Sequence, residues 1–309
     1  MPNDLTFEAY LLRFHFRALD RLSFPPGKSG NTLRGAFGLI FRKIACRPEC
    51  IDAAHCDIRS TCAYARIFEP AAVDGTGPSG LADWPRPFVF RASHLDGRSV
   101  RPGEEFHFDL NLFAVREPVI DYFVRAFARL AEDGIGAGRG RADLLQVTTR
   151  PDDALVFEGT KPVSLPLAGR AAKVRSIEVE FLTPTELKGG ERGGLVSQPE
   201  FGVLLQRARD RIATLRSLYG AGPIAIDFRG MGKKAAGVRM LRCDVQHVVR
   251  ERLSSRTGQR HPLGGFVGRA EYEGDGLEEF LPWLEAASVT GVGRHTTWGK
   301  GELRVRAMP

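Results

Sequence analysis

The chain closes its second half on the stretch Gly291-Val292-Gly293-Arg294-His295-Thr296-Thr297-Trp298-Gly299-Lys300-Gly301. A shorter version of this stretch, Gly134-Ile135-Gly136-Ala137-Gly138-Arg139-Gly140, lies near the middle of the chain. Each stretch follows a segment with helical spacing of apolar residues and precedes a segment of strand-like residues. The two copies are about half a chain apart, and this separation predicts a duplicated domain.

The two halves also begin alike. Leu12, Phe14 and Phe16 alternate with Arg13 and His15, which is the pattern of a half-buried strand. Residues 176–181 repeat this alternation. In both halves a segment with helical periodicity follows, and then a pair of strands. Asn31 is the expected cap of the first helix. The order strand, helix, strand, strand, helix, strand predicts an α+β protein made of two tandem ferredoxin-like (RRM-like, βαββαβ) domains.

The proline-containing stretch 150–170 is the expected boundary between the halves. We therefore predict an N-terminal ferredoxin-like domain over residues 1–160 and a C-terminal one over residues 161–309. The first carries a cysteine-rich insertion at 46–69, and the second carries the glycine-rich loop at 291–301.

Composition limits the class of protein. The chain has 309 residues, of which 43% are hydrophobic and 26% are charged, values typical of a globular protein and not of a disordered, collagen-like or coiled-coil one. No apolar run approaches the length of a membrane-spanning helix, and the first residues lack the pattern of a signal peptide. These features predict a soluble, cytoplasmic protein that does not bind membranes.

The charge is positive and unevenly distributed. The net charge is +7, and 36 of the 44 basic residues are arginines, whose planar donors suit phosphate. Residues 201–272 hold 14 basic and only 5 acidic side chains. A GC-rich genome would also raise the arginine content, but charge segregated in this way favours a surface that binds nucleic acid.

The glycine stretches do not fit a dinucleotide-binding motif, because that motif follows a strand and opens a helix, which is the reverse of the order here. Without side chains, the backbone N–H groups of such a loop can approach phosphates closely. A need for positive φ angles explains Gly134–Gly140 equally well, whereas the basic and aromatic residues of 291–301 favour contact with RNA. The sequence contains no HExxH motif and no phosphate-binding GxxxxGK[ST] loop, so it gives no basis for a metalloprotease or a P-loop NTPase.

Four cysteines, Cys46, Cys50, Cys56 and Cys62, fall within 17 residues. Four thiolates from one short loop can bind a metal in tetrahedral geometry, and a protein that is not exported rarely pairs them in disulfides. The spacing predicts a structural zinc site, with an iron–sulfur cluster or no metal as alternatives.

Four segments point to one family. These are Phe181-Leu182-Thr183-Pro184-Thr185-Glu186-Leu187-Lys188, Arg252-Leu253-Ser254-Ser255-Arg256, Gly264-Gly265-Phe266-Val267-Gly268 and the loop 291–301. Together they resemble the C-terminal domain of the CRISPR repeat-processing endoribonucleases of the RAMP superfamily, the Cas-six group. The resemblance covers roughly the last 130 residues, and the first half fits more loosely, through Leu33-Arg34-Gly35-Ala36-Phe37-Gly38 and the cysteines.

The resemblance implies a protein that binds CRISPR repeat RNA and cleaves precursor crRNA without a catalytic metal. The ribose 2′-OH attacks the adjacent phosphate and leaves a cyclic phosphate, which requires a base, cations and an acid. Members of the group often place a histidine in or near the first helix, but residues 23–45 contain neither histidine nor tyrosine. We therefore assign His295 as the acid or base, and Lys28 and Arg34 as electrostatic stabilisers.

The resemblance also places RNA contacts in the second half. The expected RNA-binding residues are Arg250, Arg252, Arg256, Arg260 and Arg269 on a basic hairpin, and Gly291, Gly293, Arg294, Gly299, Lys300 and Gly301 in the loop. Because the first helix lacks a histidine, an alternative stays open: a non-catalytic RAMP subunit that binds repeat RNA or docks on a CRISPR effector complex.

Overall fold

The computed structural model of the chain describes residues 5–53, 55–71, 84–117, 119–136, 138–168, 173–189, 194–249, 251–253 and 260–308. The chain forms two compact units. The first unit comprises Ala9–Val163 and Ser217–Gly222, and the second comprises Met1–Glu8, Ser164–Arg216 and Pro223–Pro309. Among the described residues, no helix is both long enough and apolar enough to cross a membrane.

The first half is built on one antiparallel sheet. Its elements are β1 (Thr6–Ala18), β2 (Leu22–Ser23), α1 (Ser29–Ala45), α2 (Ala63–Ile67), β3 (Phe88–Arg91), β4 (Ser99–Val100), β5 (Glu105–Leu112), α3 (Ile120–Asp133) and β6 (Ala142–Thr149). The four main strands lie in the order β3-β5-β1-β6, and β2 pairs with β4 in a separate short ladder. The strand predicted from the alternating residues is β1, and it lies between β5 and β6 in this sheet.

The alternation divides the first sheet into an apolar and a polar face. Phe14 stacks on Phe108 with ring centroids 5.3 Å apart, and Phe127 of α3 packs against both rings. Phe37 of α1 lies parallel to Phe123 of α3 at 4.5 Å. Each fully buried ring contributes about 1.5–3 kcal/mol to folding, so this aromatic layer fixes the two helices on the apolar face.

The second half repeats the arrangement. Its elements are β7 (Val163–Pro166), β8 (Ser176–Thr185), β9 (Lys188–Gly189), β10 (Gly194–Leu195), α4 (Phe201–Tyr219), α5 (Phe228–Ala235), β11 (Arg239–Val248), β12 (Glu251–Leu253), β13 (Arg260–Pro262), β14 (Gly265–Glu273), α6 (Leu277–Thr290) and β15 (Leu303–Met308). The main sheet has the order β11-β14-β8-β15, all antiparallel. Both halves are thus mixed α/β units with antiparallel sheets, as expected, and both place their four main strands in the order second, third, first, fourth.

The cap of the first helix lies three residues before Asn31, the cap expected from the sequence. Lys28 occupies the N-cap position without a capping side chain, and α1 starts at Ser29. The carboxylate of Asp96 supplies the missing acceptor, because its Oδ1 accepts from Ser29 N at 2.9 Å and from Ser29 Oγ at 2.6 Å. A residue 67 positions away therefore satisfies the start of the helix.

Candidate nucleic-acid interface

The glycine-rich loop of the second unit folds back on the end of β8. Val292 N donates to Gly301 O at 2.9 Å, which closes the loop at its base. Gly301 N donates to Pro184 O at 3.2 Å, and Arg294 N donates to Glu186 O at 3.1 Å. The backbone of the segment Pro184–Glu186 thus holds the loop in place.

Two of the glycines have no alternative at their positions. Gly293 has φ +78°, and a Cβ there would lie 2.2 Å from Glu186 O. Gly301 has φ +65°, and a Cβ there would lie 1.9 Å from Val292 O. Both the left-handed backbone and the close carbonyl exclude a side chain, so these glycines are needed for the shape of the loop.

His295 is held firmly within the loop. Its backbone is left-handed, with φ +60°, and its ring is stacked on Trp298 with centroids 4.7 Å apart and an interplanar angle of 3°. Nε2 lies 3.9 Å from Oε2 of Glu186, and the side chain is 20% exposed. The ring plane is thus fixed beside a carboxylate, and the exposed part of the side chain does not include Nε2, which is buried.

The basic residues of the loop differ in their access to solvent. Arg294 is 42% exposed and places Nη1 3.2 Å from Oε2 of Glu186. Lys300 is only 4% exposed, although the sequence suggested that it contacts RNA. Its burial does not favour direct contact with an RNA backbone.

The structure gives different environments to the two cations assigned in the first helix. Lys28 is exposed at the start of α1. Arg34 is 7% exposed, and its guanidinium lies 4.7 Å from the ring centroid of Phe68. The guanidinium of Arg86 approaches the same ring at 5.8 Å and donates to Phe68 O. This environment favours a packing role for Arg34. Both cations belong to the first unit, and His295 belongs to the second.

The hairpin arginines are only partly described. Arg250 and Arg256 lie outside the described residues, whereas Arg252 in β12 and Arg260 in β13 lie on paired strands. Arg269 donates to Oε1 of Glu180 at 2.9 Å, and Arg304 approaches the other oxygen of that carboxylate at 3.2 Å. The hydrogen bond from Arg269 lowers the pKa of Glu180 and raises the pKa of Arg269. Arg269 is thus part of an ion-pair network on the polar face of the second sheet.

The four clustered cysteines line a single pocket of about 310 Å³, together with His55. Arg42 donates to Cys50 O at 2.9 Å and also bonds Ile51 O, which ties this loop to α1. Burial and the neighbouring thiols of Cys62 and Cys50 raise the pKa of Cys46 to about 12, so this thiol is protonated at neutral pH. In the described part of the chain, no three His, Cys, Asp or Glu side chains are arranged to hold a metal ion. The structure therefore brings the cysteines together without supporting the predicted zinc or iron–sulfur site.

Sequence reasoning missed a cluster of histidines on the polar face of the first sheet. His15 and His107 are register partners on β1 and β5. His94, from a short 3-10 turn at Ser93–Leu95, stacks on His107 with centroids 4.6 Å apart. Alternation could place the first two on one face, but no local pattern brings His94 to them.

Two family models match the chain. One, named AF_1859_N and described as an N-terminal domain, matches residues 7–167, which is just over half of the chain. The other, described as "CRISPR-associated endoribonuclease Cas6", matches residues 179–303 and includes the glycine-rich loop. The chain belongs to the family of the AF_1859_N model, which covers more than half of it. Its second half matches the Cas6 model, which confirms the resemblance stated from the sequence.

Solved structures agree in fold. A structure titled "Cas6 (TTHB231) product complex" is 16% identical, covers 96% of this chain and 100% of its own, and has a TM-score of 0.56. Thermus thermophilus Cas6 (TTHB231) is 14% identical, with 97% and 98% covered and a TM-score of 0.54. A "Partial Cas6-RT-Cas1--Cas2 complex" is 11% identical over 97% of this chain and 46% of that chain, with a TM-score of 0.59. No curated protein sequence matches the chain.

Proposed function

We propose that this protein binds CRISPR repeat RNA and cleaves the precursor transcript as an endoribonuclease. One observation carries the proposal: the Cas6 family model extends through β8 and the loop 291–301, where the backbone and an oriented histidine form one fixed structure. A neighbour in fold is a Cas6 protein in complex with its product, which supports a processing role for this architecture.

The proposed reaction is attack of a ribose 2′-OH on the adjacent phosphate, which breaks the bond to the 5′-oxygen and leaves a cyclic phosphate. His295 takes the proton from the 2′-OH or gives one to the leaving 5′-oxygen. The carboxylate of Glu186 lies 3.9 Å from Nε2, so the ring has an acidic neighbour on that side. The neighbouring Arg294, 42% exposed, is suited to neutralise the developing charge on the phosphate.

The test is cleavage of an end-labelled repeat RNA by the full chain in the presence of a chelator. The wild type should cut at one position and leave a cyclic phosphate. His295→Ala should reduce the cleavage rate at least 100-fold while binding RNA with similar affinity. His247→Ala is the matched control, because this exposed histidine bonds Ser197 O elsewhere in the same unit. An unchanged rate for His295→Ala would refute its assignment.

Of the two predicted electrostatic stabilisers, Lys28 and Arg34, the proposal retains Lys28, which is exposed. Arg34 is a positioning residue in this proposal, because its guanidinium packs on Phe68. Arg34→Lys should therefore lower the free energy of unfolding, while the folded fraction cleaves at a rate close to that of the wild type. The reverse result would favour direct contact with phosphate.

For the architecture we propose two tandem ferredoxin-like domains, with the cysteine-rich insertion in the first. The identical order of the four main strands in the two halves supports this interpretation. The two domains correspond to residues 1–160 and 161–309.

For the insertion at 46–69 we propose a structural zinc ion, for which the common pocket of the four cysteines is the supporting observation. Binding would require the thiols to converge and lose protons. Metal analysis of purified protein should find about one zinc per chain, and none in a Cys50→Ser, Cys56→Ser variant. Metal-free wild-type protein with the same stability would refute it.

A second candidate function is a non-catalytic RAMP subunit that retains repeat RNA or docks on a CRISPR effector complex. The observation that favours it is the composition of α1, which contains no histidine. Tight binding of repeat RNA by folded protein without any cleavage would decide for this candidate.

A further inference from the structure

The polar face of the first sheet carries two ordered rows of side chains. The aromatic row runs through His107 on β5 and His15 on β1, which are register partners. The cationic row lies two residues further along the same strands, where Asp109 is the register partner of both Arg13 and Arg91. Two residues along a strand correspond to about 7 Å, so the rows run side by side.

A ring extends the aromatic row at each end. His94 stacks on His107 with centroids 4.6 Å apart and an interplanar angle of 25°, and it donates from Nε2 to His107 O at 2.9 Å. At the opposite end, Leu155 bridges to Thr148, and Val156 N donates to Val147 O, so the chain continues the sheet beyond β6. Phe157 follows two positions after Leu155, so alternation along the chain places it on the same face, and its side chain is 69% exposed.

The rings of this row are suited to bases and not to phosphates. Burial, followed by the charges of Arg13 and His94, lowers the pKa of His107 to about 4, so its ring is neutral at pH 7. His94 is exposed, with one ring face against His107. A pair of stacked rings with an accessible end can be continued by a nucleobase, as on other sheet surfaces that bind RNA.

The same geometry argues against an acid–base pair. Two imidazoles that act on opposite sides of a phosphodiester need space for the phosphate between them. His94 and His107 are nearly parallel at 4.6 Å, which is stacking contact and leaves no such space.

The cationic row has an excess of positive charge. Asp109 accepts from Arg13 Nε at 2.7 Å and pairs with Arg150 Nη1 at 3.3 Å. Arg91 is the register partner of Asp109 on β3 and is buried, and Asp153 also acts on Arg13, so three arginines stand against two carboxylates. Arg13 and Arg150 keep 30% and 26% of their side chains exposed. An RNA backbone adds the negative charge that this row lacks.

We propose that the polar face of the first sheet binds an unpaired segment of RNA, with bases stacked on His94 and Phe157 and phosphates held by Arg13 and Arg150. The inference rests on the proposed function, since it specifies which part of the RNA the first unit recognises. Both stacking residues are exposed, so their replacement should leave the core intact.

The test measures the affinity of the full chain for a fluorescein-labelled single-stranded repeat RNA by anisotropy. His94→Ala and Phe157→Ala should each weaken binding about 5- to 100-fold, and Phe157→Trp should restore it. Leu39→Ala is the matched control, because this α1 side chain is also apolar and 71% exposed. An RNA of equal length with abasic sugars keeps the phosphates and lacks the bases. The wild type and the variants should therefore bind this RNA with the same affinity as one another.

The outcomes separate the two proposals. If the wild type binds and cleaves repeat RNA but a variant with both His94→Ala and Phe157→Ala binds as tightly as Leu39→Ala, this inference is overturned and the proposed function stands. If the variants lose cleavage without losing affinity, the histidines act in chemistry and the stacking role is overturned. If the wild type binds no repeat RNA, both proposals fail.

Discussion

Replacing Gly301 by alanine should destabilise the second unit by more than the cost of placing alanine in a left-handed backbone conformation. A Cβ at this position would lie 1.9 Å from Val292 O, and φ is +65°. The new methyl group must displace a backbone carbonyl, because no flexible side chain is available to yield. The displacement acts on both hydrogen bonds of Gly301, to Val292 N and to Pro184 O.

The magnitude follows from these contacts. A left-handed alanine costs about 1–2 kcal/mol relative to glycine, and each lost backbone hydrogen bond costs about 0.5–1.5 kcal/mol. We therefore expect Gly301→Ala to lower the free energy of unfolding by about 2–5 kcal/mol. Gly276→Ala is the matched control in the same unit, because φ there is +73° but the nearest atom is a flexible glutamate oxygen at 3.7 Å. It should cost only about 1–2 kcal/mol.

Urea unfolding followed by tryptophan fluorescence measures both variants, and Trp298 reports on the loop itself. The expected result is a midpoint for Gly301→Ala clearly below that of Gly276→Ala, with equal slopes. Equal midpoints for the two variants would refute the argument that carbonyl contacts fix the loop.

Acid should destabilise the protein through His107. Its pKa is about 4 in the folded chain and about 6.5 when unfolded, so the unfolded state binds the proton first. The free energy of unfolding should fall by about 1–2 kcal/mol from pH 6.5 to pH 4, after discounting for partial exposure, and His107→Gln should lose this dependence in urea titrations. Phe37→Ala removes a ring stacked 4.5 Å from Phe123 and should cost about 3–5 kcal/mol in the same assay; a loss below 1 kcal/mol would contradict its place in the core. Glu180→Gln releases Arg269 from its carboxylate and should steepen the salt dependence of RNA binding, whereas identical slopes would exclude this face from the interface.

Alternation along the chain was sufficient to predict the central strands β1 and β8. It works because each strand buries one face against helices, so every second residue must be apolar. The start of α1 could not be predicted locally, since Asp96 reaches it only in the folded chain. The same holds for His94, which a 3-10 turn brings onto His107.

Charge was a less direct guide than periodicity. The arginines of α4 suggested a basic surface, yet Arg207, Arg209 and Arg211 donate to the backbone carbonyls of Lys188, Phe228 and Thr290. A guanidinium has several donors on a long stem, so it can tie elements together as readily as it binds phosphate. Counting basic residues along a sequence cannot separate these two uses.

The two glycine loops show which part of the repeated design is structural. In the first loop Ile135 N donates to Gly140 O at 2.8 Å, and in the second Val292 N donates to Gly301 O at 2.9 Å. The residue after the first glycine thus closes on the last glycine in both halves. The second loop differs by four additional residues, and the stacked pair of His295 and Trp298 lies within its longer span. Because the shared closure recurs in a loop without a histidine, the glycines serve the fold in both halves. The proposed catalytic role therefore falls on residues that only the second loop contains.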